Sequence, residues 1–274
     1  MIWCLFIWSI QDQVWAQVGD RAITRDQIVT AAKPQLTRLA QETEAMQQSA
    51  HRVAAEGRDR YLNSLKAQHL IRQYEVIQAA LQAAIDHTLL ELEAARVGIT
   101  TETLKNTQPL DWQKLAAKHG VHIKLRPPLF DVWDDGARAI GHGPHQVVVF
   151  GSLNCPDCRD TIQFFLTLMD SIRFQFRPLA LPEGVTDVDR WSACASRQPD
   201  WQAQLQFAAA NDEVQDLHLE PDCDRAESIL EQNLDDASAA GTVKLPGIYL
   251  NGQFLRFGDP NELKNRVNVL LHLP

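Results

Sequence analysis

Gln146-Val-Val-Val-Phe150 runs directly into Gly151-Ser-Leu-Asn-Cys155-Pro156-Asp157-Cys158, and these residues decide the fold. The apolar run reads as a strand, Gly151 to Asn154 as a short loop, and Cys155 as the residue that opens a helix. A helix amino terminus carries unpaired backbone N–H groups and the positive end of the helix dipole, so a thiolate at Cys155 is favoured there. Pro156 suits the first helical position, where its φ is already set and its missing N–H costs no hydrogen bond. Cys158, one turn further in, can resolve a mixed disulfide formed at Cys155. Beyond it Ile162, Phe165 and Met169 continue an apolar stripe, so Cys158 belongs to the buried face. Cys155 is therefore the expected attacking thiol and Cys158 the sheltered resolving one.

The competing use of a Cys-x-x-Cys pair is half of a zinc site. Zinc takes four ligands, commonly from two such pairs. Here Cys194 and Cys223 stand singly, and no histidine lies at finger spacing. His142 and His145 flank Gly143-Pro144 without acidic or thiol company and read as a surface loop. The expectation is dithiol redox chemistry with no metal and no bound cofactor.

The chain has 274 residues, enough for one large domain or two modest ones. Its net charge of −9 argues against a sequence-independent grip on nucleic acid or anionic lipid. With 45% hydrophobic and 22% charged residues, and only 13 Gly and 13 Pro, the composition is that of an ordinary globular protein. Five cysteines are too few for a disulfide scaffold of this length.

At the amino terminus, Ile2 to Ile10 is apolar but too short to span a bilayer, which needs about 20 residues. No other uninterrupted stretch reaches that length, so the chain does not read as an integral membrane protein. The run has the character of a secretory core segment, and Val14-Trp15-Ala16 before Gln17 has the small-residue spacing of a cleavage site. No Lys or Arg precedes it. The expectation is an exported, periplasmic protein whose signal, Met1 to Ala16, takes Cys4 with it. The alternative is that these residues stay and the chain is a cytosolic disulfide reductase.

Downstream, Thr24 and Gln27 form a capping-box pattern bracketed by Ile23 and Ile28, which predicts a helix from about residue 25. The chain stays rich in Ala, Gln, Leu and Glu to about Arg96, with a kink expected at Pro34 and a break at Gly57. Ile77, Leu81, Ile85, Leu89 and Leu92 share one helical face, and Gly98 is the stop. Thr100 caps a short helix, and Trp112 to His119 reads as another. The isolated histidines His51, His69 and His87 read as solvent-facing or satisfied by neighbours. His122 to Arg126 then alternates like a strand. These signals divide the chain into a helical unit at 17–120, a connector with a strand at 121–140 and a redox domain at 141–274.

The stretch Val147 to Cys158 followed by a helix resembles the DsbA-like thiol–disulfide oxidoreductases of the thioredoxin fold. The likeness extends to Gly241-Thr-Val-Lys-Leu245-Pro246-Gly-Ile-Tyr-Leu-Asn251-Gly252, similar to that family's cis-proline strand and following hairpin. Val121 to Val132 is similar to the strand preceding this domain in a bacterial subgroup, whose amino-terminal half resembles SurA-type periplasmic chaperones. "VGDRAITRDQI" and "AIDHTLLELEAARVGIT" match that helical pattern. The resemblance implies an α/β thioredoxin fold with a helical insertion, preceded by an all-α SurA-like domain. It also implies that Leu245 and Pro246 lie beside the sulfurs and position a substrate strand. The partners would be unfolded or cysteine-containing proteins and a redox recycling partner, with a chaperone or binding module of secondary redox activity as the alternative function. Some relatives carry a second cysteine pair, which implies a structural disulfide between Cys194 and Cys223.

Departures from the pattern shape the chemistry. Leu245 replaces the Thr or Val more often found before the cis-proline. Asp157 puts a negative charge beside the nascent thiolate, which raises the Cys155 pKa and weakens the protein as an oxidant. Val149 stands where thioredoxins place a buried carboxylate, so no acid–base helper for Cys158 is evident.

Overall fold

The computed structural model describes residues 13–107, 109–211, 223–256 and 260–271. The apolar run at 2–10 and Cys4 lie outside the described residues. Contacts divide the chain into two units, one comprising the chain up to Ala45 with His69–Pro127, the other Met46–Gln68 with Pro128–Pro274. The boundary at Pro127 falls inside the connector expected at 121–140, whereas Met46–Gln68, read from sequence as part of the helical half, groups with the second unit.

The first unit contains a three-stranded antiparallel sheet in which β1 (Val14–Val18) is flanked by β2 (Arg21–Thr24) and β3 (Val121–Ile123). The sequence reading had this unit's helices but not its sheet, because strands of five, four and three residues are too short to show alternation. The strand expected at His122 to Arg126 is displaced to β3 and pairs with β1, so it completes this sheet and not the one next to the cysteines. Trp15 and Ala16 are buried in the unit's core. The Ala16–Gln17 bond thus lies inside β1, and a signal ending at Ala16 would take Val14, Trp15 and Ala16 out of the sheet.

Helix α1 (Arg25–Ser49) opens on the expected capping box: the Thr24 N–H donates to Gln27 Oε1 at 2.8 Å, and the Gln27 N–H to Thr24 Oγ1 at 3.4 Å. It does not end at Pro34. Pro34 and Thr30, whose carbonyl loses its helical donor there, are both exposed, so water can take the bond. The break comes instead at a 3₁₀ turn, Ala50–Arg52, and Gly57 lies in the first turn of α2 (Ala55–Val97). The stripe of Ile77, Leu81, Ile85, Leu89 and Leu92 packs with Trp15, Val18 and Ile28. Helix α2 stops at Gly98, whose φ of 73° lets the Ile99 N–H reach the Ala94 carbonyl at 3.1 Å. Helix α3 (Thr101–Thr107) is capped by Thr100, and α4 (Trp112–His119) by Asp111. His69 Nδ1 meets Thr43 Oγ1 at 2.8 Å; that hydroxyl donates to the Leu39 carbonyl, so the histidine nitrogen is the donor. Glu93 on α2 accepts from Arg96, from Lys118 at 2.7 Å and from His119 at 3.4 Å. Those donors, led by Arg96, hold its carboxyl well below the usual carboxylate range.

The second unit is built as β4 (His145–Gly151), α5 (Pro156–Leu166), β5 (Ile172–Pro178), three helices, β6 (Gly247–Leu250), β7 (Gln253–Leu255) and α9 (Pro260–Leu270). The three helices are α6 (Asp187–Ala195), α7 (Trp201–Ala210) and α8 (Ala226–Ala239). The sheet order is β5-β4-β6-β7, with β4 parallel to β5 and antiparallel to β6, and β6 antiparallel to β7. Val147 and Val149 face a core that includes Ile162 and Phe165 of α5 and Leu263 of α9. Val148 and Phe150 face the other way, with Val132, Ala237 and Tyr249. Both faces of β4 are covered, which is why its sequence is an unbroken apolar run. On the second face the buried Gln175 and Arg177 of β5 hold the segment around Val132 to Ala137: Gln175 Nε2 donates to the carbonyls of Asp134 and Ala137, and Arg177 Nη1 to that of Val132. The β6–β7 hairpin turns on Asn251 and Gly252, both at positive φ, the combination a tight two-residue turn requires.

Candidate functional site: a dithiol at the start of helix α5

Strand β4 delivers the chain to the amino end of α5, and Cys155 is the N-cap of that helix, with extended φ and ψ of −95° and 116°. Its Sγ accepts from the Cys158 N–H at 3.3 Å, a donor shared with the Cys155 carbonyl at 3.1 Å, so the sulfur sits at the donor-rich amino end of the helix. Pro156 occupies the first turn and is exposed, as is Asp157. Cys155 is partly exposed and Cys158 is fully buried. The two sulfurs are joined as a disulfide, with Cα atoms 5.2 Å apart. Cys155 is thus the more accessible residue of the pair, and Cys158 is enclosed by the core.

The wall against Cys158 is Gly151, the last residue of β4. A Cβ there would stand 3.0 Å from Cys158 Sγ. Gly247 pairs with Phe150, so the antiparallel register carries Pro246 opposite Gly151. The Leu245–Pro246 bond is cis; Pro246 is buried and Leu245 partly so.

The loop between β4 and the helix is tied to α6. Ser152 Oγ donates to Asp189 Oδ1 at 2.8 Å, and Asp189 Oδ2 accepts from the Thr186 N–H at 2.9 Å and its hydroxyl at 2.7 Å. Asn154 Nδ2 donates to Thr186 Oγ1 at 2.9 Å. Arg159, also buried, donates from Nη1 to the Leu153 carbonyl at 2.8 Å. Val149 lies in the core as read, but a buried carboxylate does reach this loop, from Asp189 of the insertion. Sequence reasoning missed it. Thr186-x-x-Asp189 is a recognisable helix-start pattern, but nothing local to it says which loop it faces.

Cys194 and Cys223 are joined as a disulfide, Cα atoms 5.9 Å apart, away from the Cys155–Cys158 pair in the insertion. His142 and His145 do not act together: His142 Nε2 lies 3.5 Å from Asp170, and His145 Nδ1 3.1 Å from Asn251 Nδ2. Among the described residues no group of three or more His, Cys, Asp and Glu is placed to hold a metal ion. No described helix is long and apolar enough to cross a membrane.

A β-α-β unit and a β-β-α unit in one mixed sheet, joined through inserted helices and carrying Cys-Pro-Asp-Cys at the start of the first helix, give the second unit a thioredoxin fold with a helical insertion. Among solved structures the chain is similar to ScsC of Proteus mirabilis in a transitional conformation, at 18% identity over 73% of this chain and 98% of that one, with a TM-score of 0.41. It is also similar to BdbD of Bacillus subtilis, at 18% identity over 53% and 97% of the two chains (TM-score 0.37), and to reduced DsbA1 of Neisseria meningitidis, at 11% identity over 53% and 95% (TM-score 0.37). No protein-family model matches the chain, and no curated protein does.

Proposed function

We propose that the protein is a thiol–disulfide oxidoreductase acting on cysteine-containing protein substrates through Cys155 and Cys158. The observation that carries this reading is the asymmetric pair itself: a partly exposed cysteine at a helix N-cap, its Sγ facing a backbone N–H, bonded to a fully buried one. In the oxidising direction a substrate thiolate attacks Cys155 Sγ, the Cys155–Cys158 bond breaks, and Cys158 leaves as a thiolate that takes up a proton. A second substrate thiolate then attacks the substrate sulfur of the mixed disulfide and releases Cys155 as a thiolate, so two electrons pass to the protein. A recycling partner must remove them. Pro246 lies opposite Gly151 in the sheet register, and Gly151 packs on Cys158, which supports a role for Leu245 and Pro246 in aligning the substrate chain; Asp157 would set how readily the thiolate forms. Export to an oxidising compartment fits a protein holding two disulfides.

A Cys158→Ser variant tests the reading. It is expected to accumulate mixed disulfides with unfolded protein substrates that carry a disulfide, the free Cys155 thiolate displacing one substrate sulfur as a thiolate, and a Cys155→Ser variant is expected not to form them. Titration of the pair against glutathione then gives the direction of flow. A potential between about −120 and −180 mV makes the protein a donor or shuffler of disulfides, and one near about −270 mV a reductant. Absence of mixed disulfides with Cys158→Ser, in a sample whose Cys155 is free, would overturn the proposal. Full aggregation suppression by the doubly substituted Cys155→Ser, Cys158→Ser protein would place a chaperone function first.

A further inference from the structure

We infer that Asp189 and Ser152 are positioning residues for the dithiol, through which the helical insertion holds Cys155 at the N-cap of α5. The inference rests on the exchange function proposed above and adds to it a role for the insertion. Four residues form a closed ring of hydrogen bonds. Ser152 Oγ donates to Asp189 Oδ1 at 2.8 Å and accepts from the Asn154 N–H at 3.2 Å. Asn154 Nδ2 donates to Thr186 Oγ1 at 2.9 Å, and Thr186 Oγ1 donates to Asp189 Oδ2 at 2.7 Å. Both arms of the ring run from Asn154 as donor, through the Ser152 and Thr186 hydroxyls, to the Asp189 carboxylate, which accepts at both oxygens. Ser152 and Asp189 are both fully buried, where an unmade bond is costly.

Half of this arrangement is ordinary helix capping. Thr186 caps α6, and Asp189 Oδ2 returns to the Thr186 N–H at 2.9 Å. Capping needs neither Asp189 Oδ1 nor Asn154. Those two links run to the three residues that separate the end of β4 from Cys155, and the Cys155 N–H itself donates to the Ser152 carbonyl at 3.1 Å. Fixing Ser152 and Asn154 therefore fixes the entry angle of Cys155, and with it the contact between its Sγ and the Cys158 N–H that favours the thiolate. A loop freed from the ring would let Cys155 leave that donor, and less thiolate would be present at neutral pH.

The test uses the full chain with Ser152→Ala, which leaves the capping box of α6 whole, Thr186→Val, which removes the hydroxyl at the centre of the ring, and Thr186→Ser, which keeps it. The reduced proteins are titrated by thiolate absorbance, alkylation of the Cys155 peptide is timed by mass spectrometry at neutral pH, and thermal unfolding is followed in parallel. Ser152→Ala and Thr186→Val are expected to titrate at higher pH and alkylate about tenfold more slowly, as for a lost bond to a charged group, while Thr186→Ser stays near the unsubstituted protein. Earlier unfolding with unchanged titration and alkylation in both would show a merely structural ring and overturn the inference. If Cys155 of the unsubstituted protein alkylates no faster than an unfolded cysteine peptide, the exchange function fails instead.

Discussion

Gly151 lies directly against Cys158: a Cβ on the glycine would stand 3.0 Å from the cysteine Sγ, 3.2 Å from its Cβ and 3.4 Å from Phe176 Cε2. Cys158 and Phe176 are both buried, so neither can swing aside into solvent. The strand must end on a residue without a side chain for the first turn of α5 to pack this closely. Gly151→Ala is expected to cost about 1–3 kcal/mol of stability, as overpacking of a filled core does. It should also displace the resolving sulfur, so that a glutathione mixed disulfide at Cys155 persists longer before Cys158 displaces it. Acid-quenched samples analysed by mass would measure that lifetime, and an unchanged lifetime would mean that the contact does not place Cys158.

Asp157 is exposed in the first turn of α5, between the two cysteines. Its negative charge opposes a second one on Cys155, so the dithiol form is less stabilised than with a cationic residue there. Asp157→His should therefore raise the reduction potential. An exposed charge acts through high dielectric and is worth about 0.5–1 kcal/mol, which for a two-electron couple is on the order of 10–20 mV. Equilibration with glutathione buffers measures this, and a potential that stays or falls would show that Asp157 does not tune the pair electrostatically.

The Cys194–Cys223 disulfide joins the end of α6 to the residues just before α8 and encloses a sequence separation of 29. In the chain-entropy estimate such a loop stabilises by about 3 to 4 kcal/mol. Replacing both cysteines by serine should lower the urea midpoint accordingly. In the denatured, unreduced protein neither thiol should label, and labelling of two thiols beyond the Cys155–Cys158 pair would show that the bridge does not form.

The redox half was legible because its signals are local. An apolar run, a Cys-x-x-Cys pair, a proline at the first helical position and an Asn-Gly turn each fix a few residues of backbone. Thr24 and Gln27, or Gly98, did the same for the ends of α1 and α2. What stayed hidden depends on residues far apart in sequence. The sheet of the first unit needs Val121 to Ile123 to meet Val14 to Val18, and short strands give no periodicity to announce it. Pro34 does not end α1, because Thr30, whose carbonyl it deprives of a helical donor, is exposed to water. Asp189 lies 37 positions from Ser152, and its role follows only from where the insertion folds back.

Glu93 gives the clearest pH dependence. It is buried, and Arg96 and Lys118 both contact it at 2.7 Å, with the His119 Nε2 at 3.4 Å. These partners stabilise the carboxylate in the folded state and hold its folded pKa well below the value of about 4.3 for a free glutamate. A depressed folded value means that the unfolded chain takes up the proton first as pH falls. The contribution is therefore complete above the unfolded value and is lost progressively below it, towards the folded one. Arg96 and Lys118 are substantially exposed, so screening keeps the gain modest. Glu93→Gln should lower stability at neutral pH by about 1–2 kcal/mol and should make the unfolding midpoint fall less steeply between neutral pH and the acid limb. Urea titrations of both proteins across that range provide the comparison, and parallel pH profiles would mean that Glu93 titrates alike in the folded and unfolded chain.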